Sequence, residues 1–410
     1  METEKRIVIL GSTGSIGENV LRIVDECPGR FRVVGLAAGR NADRVVRQAA
    51  EYGVPRLALA DPAAARRASG SLAGGATVGA GPEAVRELAA LPDADLVVCA
   101  MVGMAALGPV LAAIDAGHDV ALATKEVLVA AGALVTARAR EKGVNLLPVD
   151  SEHSAIFQAL ADARRLPACV RGRPGEAGPG PRAPAEPAEP AIERLWLTAS
   201  GGPFFFHPEI DLAKVTPALA LNHPRWKMGP KVTIDSATMM NKGLEILEAR
   251  WLFDIPADRI GVLVHPESIV HSLVEFADGA QLAQLGMPDM RLPIQYAMTW
   301  PDRAPNAELP RLDLAKTGAL HFHAPDPARF PCLALAREAA ALGGVATCAM
   351  NAANEVAVAA FLAGRIPFPR IWESVARVVA ETPSAPGTPS LDEILDADAR
   401  ARRRAAEILA

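Results

Sequence analysis

Arg6-Ile7-Val8-Ile9-Leu10, followed at once by Gly11-Ser12-Thr13-Gly14-Ser15-Ile16-Gly17, is the stretch on which the reading of this chain turns. The apolar run reads as a buried strand. The glycines allow a tight turn into a helix expected over Glu18 to Glu26, whose first N–H groups would meet a pyrophosphate. The spacing is GxxGxxG rather than GxGxxG, and a plain tight turn stays open on these residues alone. The order strand, turn, helix, strand is what a dinucleotide fold needs. Further apolar runs, Val33 to Ala37, Leu96 to Ala100, Val120 to Ala123 and Leu146 to Val149, alternate with helix-length segments up to about residue 150. That alternation predicts βαβ units and a mostly parallel sheet. The second run ends Ala38-Gly39-Arg40-Asn41, with no acidic residue to take a free ribose 2′-hydroxyl. Arg40 favours a 2′-phosphate, hence NADPH over NADH, against the alternative of a solvated arginine.

The 410 residues, half of them hydrophobic and 22% charged, predict a folded multidomain chain. A net charge of -5 argues against a nucleic-acid binder that works through a basic face. The longest uncharged run, Leu96 to Ile114, is interrupted by Gly103, Gly108 and Pro109, so it reads as strand, turn and helix start rather than a membrane span. No leader or transit pattern precedes the first strand, and a cytoplasmic location is expected. Cys27, Cys99, Cys169, Cys332 and Cys348 are widely spaced with no CxxC pair, which predicts reduced, mostly buried thiols.

The expected organisation is an α/β Rossmann-like NADP-binding domain over 1–150, an α+β catalytic domain over 151–300, a proline-rich linker over 301–330, and an α-helical bundle over 331–410. Strand-like runs at Gly261 to His265 and Ser268 to Phe276 mark the second region. Within it, 171–191 is rich in Pro, Gly, Ala and Glu and reads as a surface insertion. Helices are expected at Asn351 to Leu362, Pro369 to Ala380 and Leu391 to Leu409, the last with a capping box from Ser390 and Glu393.

Asp150-Ser151-Glu152-His153 follows the strand Leu146 to Val149, at the end of an open sheet where ligands bind. Two carboxylates at i and i+2 in an extended turn would project to one side and share a cation, although such pairs are more often solvated turn residues. Asp235-Ser236-Ala237-Thr238-Met239-Met240-Asn241-Lys242-Gly243-Leu244-Glu245 leads into a helix with Leu244, Leu247 and Trp251 as its apolar stripe. Asn241, Lys242 and Glu245 on a neighbouring face are a hydrogen-bond donor, a point charge and a third carboxylate; a solvated Lys242/Glu245 pair is the plain alternative. All-oxygen ligation by Asp150, Glu152 and Glu245 suits Mg²⁺ or Mn²⁺, whereas zinc usually recruits His or Cys. His223 lies in Asn222-His223-Pro224-Arg225-Trp226-Lys227-Met228-Gly229, which reads as a flap (about 222–231) able to close over a ligand. Ser200, in Thr198-Ala199-Ser200-Gly201-Gly202-Pro203, sits in a turn able to hold phosphate or to be only a turn.

Taken together, GSTGSIG, ATKE, VDSEH, LTASGGPF, HPRWKMG and DSATMMNKGLE, with Asn351-Ala352-Ala353-Asn354-Glu355 near the end, resemble the 1-deoxy-D-xylulose 5-phosphate reductoisomerase family over nearly the whole chain. The resemblance implies an NADPH domain, a catalytic domain with a flap, a linker, a helical C-terminal domain and a homodimer. It assigns NADPH contacts to Thr13, Gly14, Ser15, Ile16, Gly39, Arg40, Asn41, Thr124, Glu126 and Gly229. Asp150, Glu152 and Glu245 would hold the divalent cation, Mn²⁺ or Mg²⁺ with Co²⁺ a further candidate. Lys125, Ser151, Ser200, His223, Ser236, Asn241 and Lys242 would meet a phosphorylated sugar, Lys125 and His223 also serving catalysis, and Trp226 and Met228 would belong to the flap. Three departures stand out: Thr124 where Asn is usual, Arg225 where Asn or Thr is usual, and a long 171–191 stretch that takes no family role. The implied reaction rearranges 1-deoxy-D-xylulose 5-phosphate and reduces the product with NADPH to 2-C-methyl-D-erythritol 4-phosphate. Rival readings are another NADP-linked enzyme such as a semialdehyde dehydrogenase, which needs a nucleophilic cysteine, and a non-catalytic NADP-binding regulator.

Overall fold

The structure, a computed structural model, describes residues 4–72, 75–161, 192–226, 228–385 and 387–410. The 171–191 stretch lies outside the described residues. The first sheet comprises β1 (Lys5–Leu10), β2 (Phe31–Ala38), β3 (Arg56–Leu59), β4 (Thr77–Ala80), β5 (Leu96–Cys99), β6 (Asp119–Leu122) and β7 (Leu146–Pro148). Its order is β4-β3-β2-β1-β5-β6-β7, and every pairing is parallel. The chain leaves β1 toward β2 and later returns to pair β5 on its other side. The carboxyl end of β1 is therefore the topological switch point, where open α/β sheets form their crevice.

The glycine turn sits at that point. Gly11 has φ +89°, and a Cβ there would lie 2.4 Å from the Ala100 carbonyl oxygen; a Cβ on Gly17 would lie 2.4 Å from that of Gly11. Gly14 is less constrained, with Gly11 O at 3.4 Å. The helix begins at Ser15 and ends at Glu26, three residues earlier at its start than the sequence predicts. β3 and β4 were not anticipated: each has four residues, and β4 lies at the sheet edge with no fully buried position.

The second sheet has the order β11-β10-β8-β9, from β8 (Ile192–Ala199), β9 (Ile260–Val264), β10 (Val270–Phe276) and β11 (Gln281–Leu285). β11 was also missed, being short and exposed at most of its positions. Residues 301–330 hold one short helix, Leu314–Thr317, and a single bridge from His323 to Val264. The helices Cys332–Leu342, Ala346–Leu362, Arg370–Ala380 and Leu391–Leu409 follow, and both hydrogen bonds of the Ser390/Glu393 capping box are present.

One packing relation positions the site. The helix Met240–Phe253 lies between the helix Lys125–Lys142 and the C-terminal helices. Met240, Leu244 and Leu247 share a core with Val129, Cys332, Ala336 and Met350. Close approach needs glycine: a Cβ on Gly132 would meet the Trp251 indole at 2.1 Å, and one on Gly243 the Ala336 methyl at 2.9 Å. This covering buries Lys242, Glu245 and Glu248, so the solvated-face alternative for Lys242/Glu245 does not describe the structure.

Candidate active site

A cleft of roughly 1200 Å³, its open mouth included, runs from the carboxyl ends of β6 and β7 to the end of β8 and the start of β10. Ser15 and Ile16 line one end, Lys125, Asp150, Ser151, Glu152, Asn241, Lys242 and Glu245 the floor, and Ser200, His223, Trp226, Met228, Gly229 and Ser236 the other wall. Asp150 and Glu152 reach it differently from the expectation. The backbone turns helical at once after β7, with Ser154 N–H donating to Asp150 O at 2.8 Å, so Glu152 lies in the first turn of the helix Ser151–Ala161 rather than in an extended turn. Both carboxylates still open on the cleft, because Asp150 precedes that turn and Glu152 is carried on it.

Asp150, Glu152 and Glu245 each offer a carboxylate oxygen within 4.8 Å of the other two. Two ammonium groups stand between them. Lys125 contacts Asp150 and lies 3.1 Å from Glu245 Oε1 and 3.0 Å from Asn241 Oδ1; Lys242 contacts Glu245 and lies 2.7 Å from Glu152 Oε1. Burial works against every charge here, and pairing decides which survives. Against burial, Lys125 draws Asp150 down to about 2 and Lys242 holds Glu152 below its usual range. For Glu245, burial and then the Glu152 charge prevail and push it up to about 7. Three carboxyl groups against two ammonium groups leave room for added positive charge, and the donors are all hard oxygens, which fits Mg²⁺ or Mn²⁺. A second set, Asp150, His153 and Glu248, also lies within 4.8 Å, but His153 and Glu248 do not line the cleft.

His223 is held by the flap's own backbone. Its Nδ1 accepts N–H groups from Arg225 at 3.1 Å and Trp226 at 2.9 Å, so the proton resides on Nε2 and is donated to Ser200 Oγ, 2.9 Å away. Burial lowers the imidazole to about 4 and keeps it neutral. Arg225 Nε donates to the Pro266 carbonyl at 3.2 Å.

Of the remaining expected cofactor residues, Thr13, Gly14, Gly39, Arg40 and Asn41 cluster at the carboxyl ends of β1 and β2, outside the cleft lining. Asn41 caps the helix Ala42–Tyr52 through Arg44 N–H. The Arg40 side chain is 87% exposed, with Asp61 at 3.5 Å as a loose partner. Thr124 is buried and its hydroxyl donates to the Met101 carbonyl at 2.6 Å. Glu126 is buried against Lys231 at 2.7 Å. The sequence reading did not single out His271, Ser268 or Met290, all of which line the cleft. Ser268 has φ +53°, and the motif His265-Pro266-Glu267-Ser268 was the only signal of a special turn there.

Residues 7–132 match the 1-deoxy-D-xylulose 5-phosphate reductoisomerase family, 146–253 its C-terminal domain, and 285–404 the DXP reductoisomerase C-terminal domain. The chain belongs to this reductoisomerase family. Among its relatives, the 1-deoxy-D-xylulose 5-phosphate reductoisomerase of Heliobacterium modesticaldum is 51% identical over 98% of this chain and 97% of its own length. That of Moorella thermoacetica is 48% identical over 98% of each. Two solved reductoisomerases superpose along the full chain. One, in complex with NADPH, fosmidomycin and magnesium, gives a TM-score of 0.88 at 38% identity, covering 99% of this chain and 98% of that one. The Zymomonas mobilis enzyme in complex with NADPH gives 0.85 at 40%, covering 100% and 99%. The reductoisomerase fold thus accounts for both sheets and the C-terminal helices together.

Proposed function

We propose that this chain converts 1-deoxy-D-xylulose 5-phosphate to 2-C-methyl-D-erythritol 4-phosphate, using NADPH and a divalent cation, in non-mevalonate isoprenoid biosynthesis. The observation that carries this reading is the meeting of Asp150, Glu152 and Glu245 in one cleft with Lys125 and Lys242, beneath the His223 segment. NADPH supplies the hydride, and a cation held by the three carboxylates supplies Lewis-acid polarisation of the substrate's carbonyl and hydroxyl oxygens. The chain's own groups do the rest. Lys125 sets a buried positive charge beside Asp150 and Glu245, where negative charge developing on substrate oxygen is stabilised without solvent reorganisation. Ser200, Ser236, Asn241 and Lys242 supply donors for the phosphate and hydroxyls, and His223, neutral, gives its Nε2 proton to Ser200 Oγ and so leaves the Ser200 hydroxyl proton free for the ligand. Trp226 and Met228 cover the cleft and exclude water.

The cofactor assignments to Thr13, Gly14, Ser15, Ile16, Gly39, Arg40, Asn41, Thr124, Glu126 and Gly229 belong to the same proposal. Ser15, Ile16 and Gly229 line the cleft, and Thr13, Gly14, Gly39, Arg40 and Asn41 stand at the carboxyl ends of β1 and β2, which supports their part of it; Thr124 and Glu126 are buried and rest on the family resemblance. The division at 1–150, 151–300, 301–330 and 331–410, the cytoplasmic location and the homodimer belong to the proposal as well. For the dimer, the edge strand β11 offers a free side of the second sheet with Leu282 48% and Leu285 36% exposed, a surface a second copy would cover. No helix among the described residues is long and apolar enough to cross a membrane.

A thiol-based dehydrogenase finds no support among the described residues, which exclude Cys169: burial pushes Cys99 up to about 11 and Cys332 and Cys348 to about 12, and raises Cys27 as well. A non-catalytic regulator leaves three converging carboxylates without work. The deciding experiment follows NADPH oxidation with deoxyxylulose phosphate, with and without Mn²⁺. Consumption that requires both is expected; oxidation indifferent to either would overturn the proposal.

A further inference from the structure

The helix Pro230–Ala237 has two working faces. Gly229, Val232 and Ser236 look into the cleft. Lys231 and Asp235, one turn apart, look the other way. Lys231 Nζ lies 2.7 Å from Glu126 Oε1 and 2.9 Å from Asp235 Oδ2, and Asn354 Nδ2 donates to Asp235 Oδ1 at 2.8 Å. Glu126, Asp235 and Asn354 are buried and the Lys231 side chain is only 17% exposed. Glu126 follows Lys125 at the start of the helix Lys125–Lys142, and Asn354 belongs to the helix Ala346–Leu362. One ammonium group therefore joins the root of the flap to the helix that carries the cleft lysine, and through Asp235 to the C-terminal bundle. A buried ion network contributes little net stability, since desolvation offsets the attraction, but its geometry is demanding. A chain of this kind fixes the register of the elements it links.

We propose that Lys231 is a positioning residue, which sets the helix bearing Ser236, with Gly229 at its N-cap, against the one bearing Lys125 and Glu126 and so shapes the part of the cleft assigned to NADPH at Gly229. The inference rests on the proposed function and adds to it a residue that meets neither substrate nor cation. The three carboxylates are carried by other elements, the helix Met240–Phe253 and the Asp150-Ser151-Glu152 turn. Loss of Lys231 therefore disturbs cofactor binding far more than cation binding, which it reaches only through Lys125.

The test compares NADPH and Mn²⁺ dissociation constants for the full chain, Lys231→Met, Lys231→Arg and the double variant Asp235→Asn/Lys231→Met, which strands fewer buried charges and serves if the single variant does not fold. Residues of one network couple by roughly twofold to a hundredfold, and the expected change is NADPH affinity weakened about tenfold by Lys231→Met. Mn²⁺ affinity stays within about twofold, Lys231→Arg recovers most of the loss, and the double variant is no weaker than Lys231→Met, because the two residues act as one unit. NADPH affinity within about twofold of the unmodified chain in a folded Lys231→Met or double variant would overturn the inference, as would parallel loss of Mn²⁺ binding. Failure of the unmodified chain to bind NADPH is a separate result, and it would sink the proposed function itself.

Discussion

Ser200 Oγ and His223 Nε2 stand 2.9 Å apart, and this hydrogen bond joins the end of β8 to the flap. With Nδ1 already taken by two backbone N–H groups, His223 has one proton to give and one direction in which to give it.

His223→Ala removes that donor and unties the local backbone turn. A net hydrogen bond of about 1 kcal/mol, with the loss of flap order added, predicts a KM for deoxyxylulose phosphate raised about tenfold or more. NADPH binding, measured by fluorescence titration, should stay near that of the unmodified chain. Weakening of both together would place His223 in the scaffold instead.

Glu245 predicts a pH signature. Its folded pKa, about 7, lies above the usual carboxyl value, so in the metal-free chain the native state holds a proton that the unfolded state gives up. The group's stabilising contribution is present at low pH and is lost as pH rises through about 7. Cation binding needs the carboxylate, so Mn²⁺ affinity should climb over the same range, with proton release near about pH 6 and almost none at about pH 8.5. Calorimetry in buffers of different ionisation enthalpy reads this directly. In Glu245→Gln the proton release disappears, metal-dependent turnover is mostly lost and NADPH still binds.

Arg40 is free to meet a 2′-phosphate, being held only loosely by Asp61. Charge-assisted hydrogen bonds are worth about 1.5–3 kcal/mol, so Arg40→Asp should weaken NADPH by about 10- to 100-fold and improve NADH relative to it. Unchanged discrimination between the two cofactors in kcat/KM would remove Arg40 from that role.

The glycine turn separates two substitutions of the same size. Gly17→Ala drives a methyl against the Gly11 carbonyl and should destabilise the chain by about 1–3 kcal/mol while weakening NADPH binding. Gly14→Ala meets its nearest atom at 3.4 Å and should be tolerated in thermal unfolding. Equal effects from both would show that close backbone approach is not what the turn requires.

Much of the fold was legible because local patterns were strong. The runs at β1, β2, β5, β6 and β7 are continuously apolar, and the final helix begins at Leu391 under its capping box, as its residues predict. β3 and β4 were not legible: Arg56-Leu57-Ala58-Leu59 and Thr77-Val78-Gly79-Ala80 are too short and too alanine- or glycine-rich to stand out, and they become strands through pairing with β2 and with each other. In the site, the three carboxylates and two lysines were visible as motif residues. Their burial was not, because it comes from the C-terminal helices that cover Met240–Phe253. The bond of Lys231 to Glu126 spans 105 positions of sequence, and no local spacing announces it. Asp150 and Glu152 show the opposite case, in which the two carboxylates meet in the cleft as expected, but on a helical turn rather than an extended one.

Among the described residues, none from 331 onward lines the cleft, yet the helices there form the far wall that keeps Lys242 and Glu245 dry. An enzyme pruned of that segment would let water flood the carboxylates and dilute the fields on which its reaction depends. Natural variation in those distant helices should therefore leave its mark on turnover as readily as on heat tolerance.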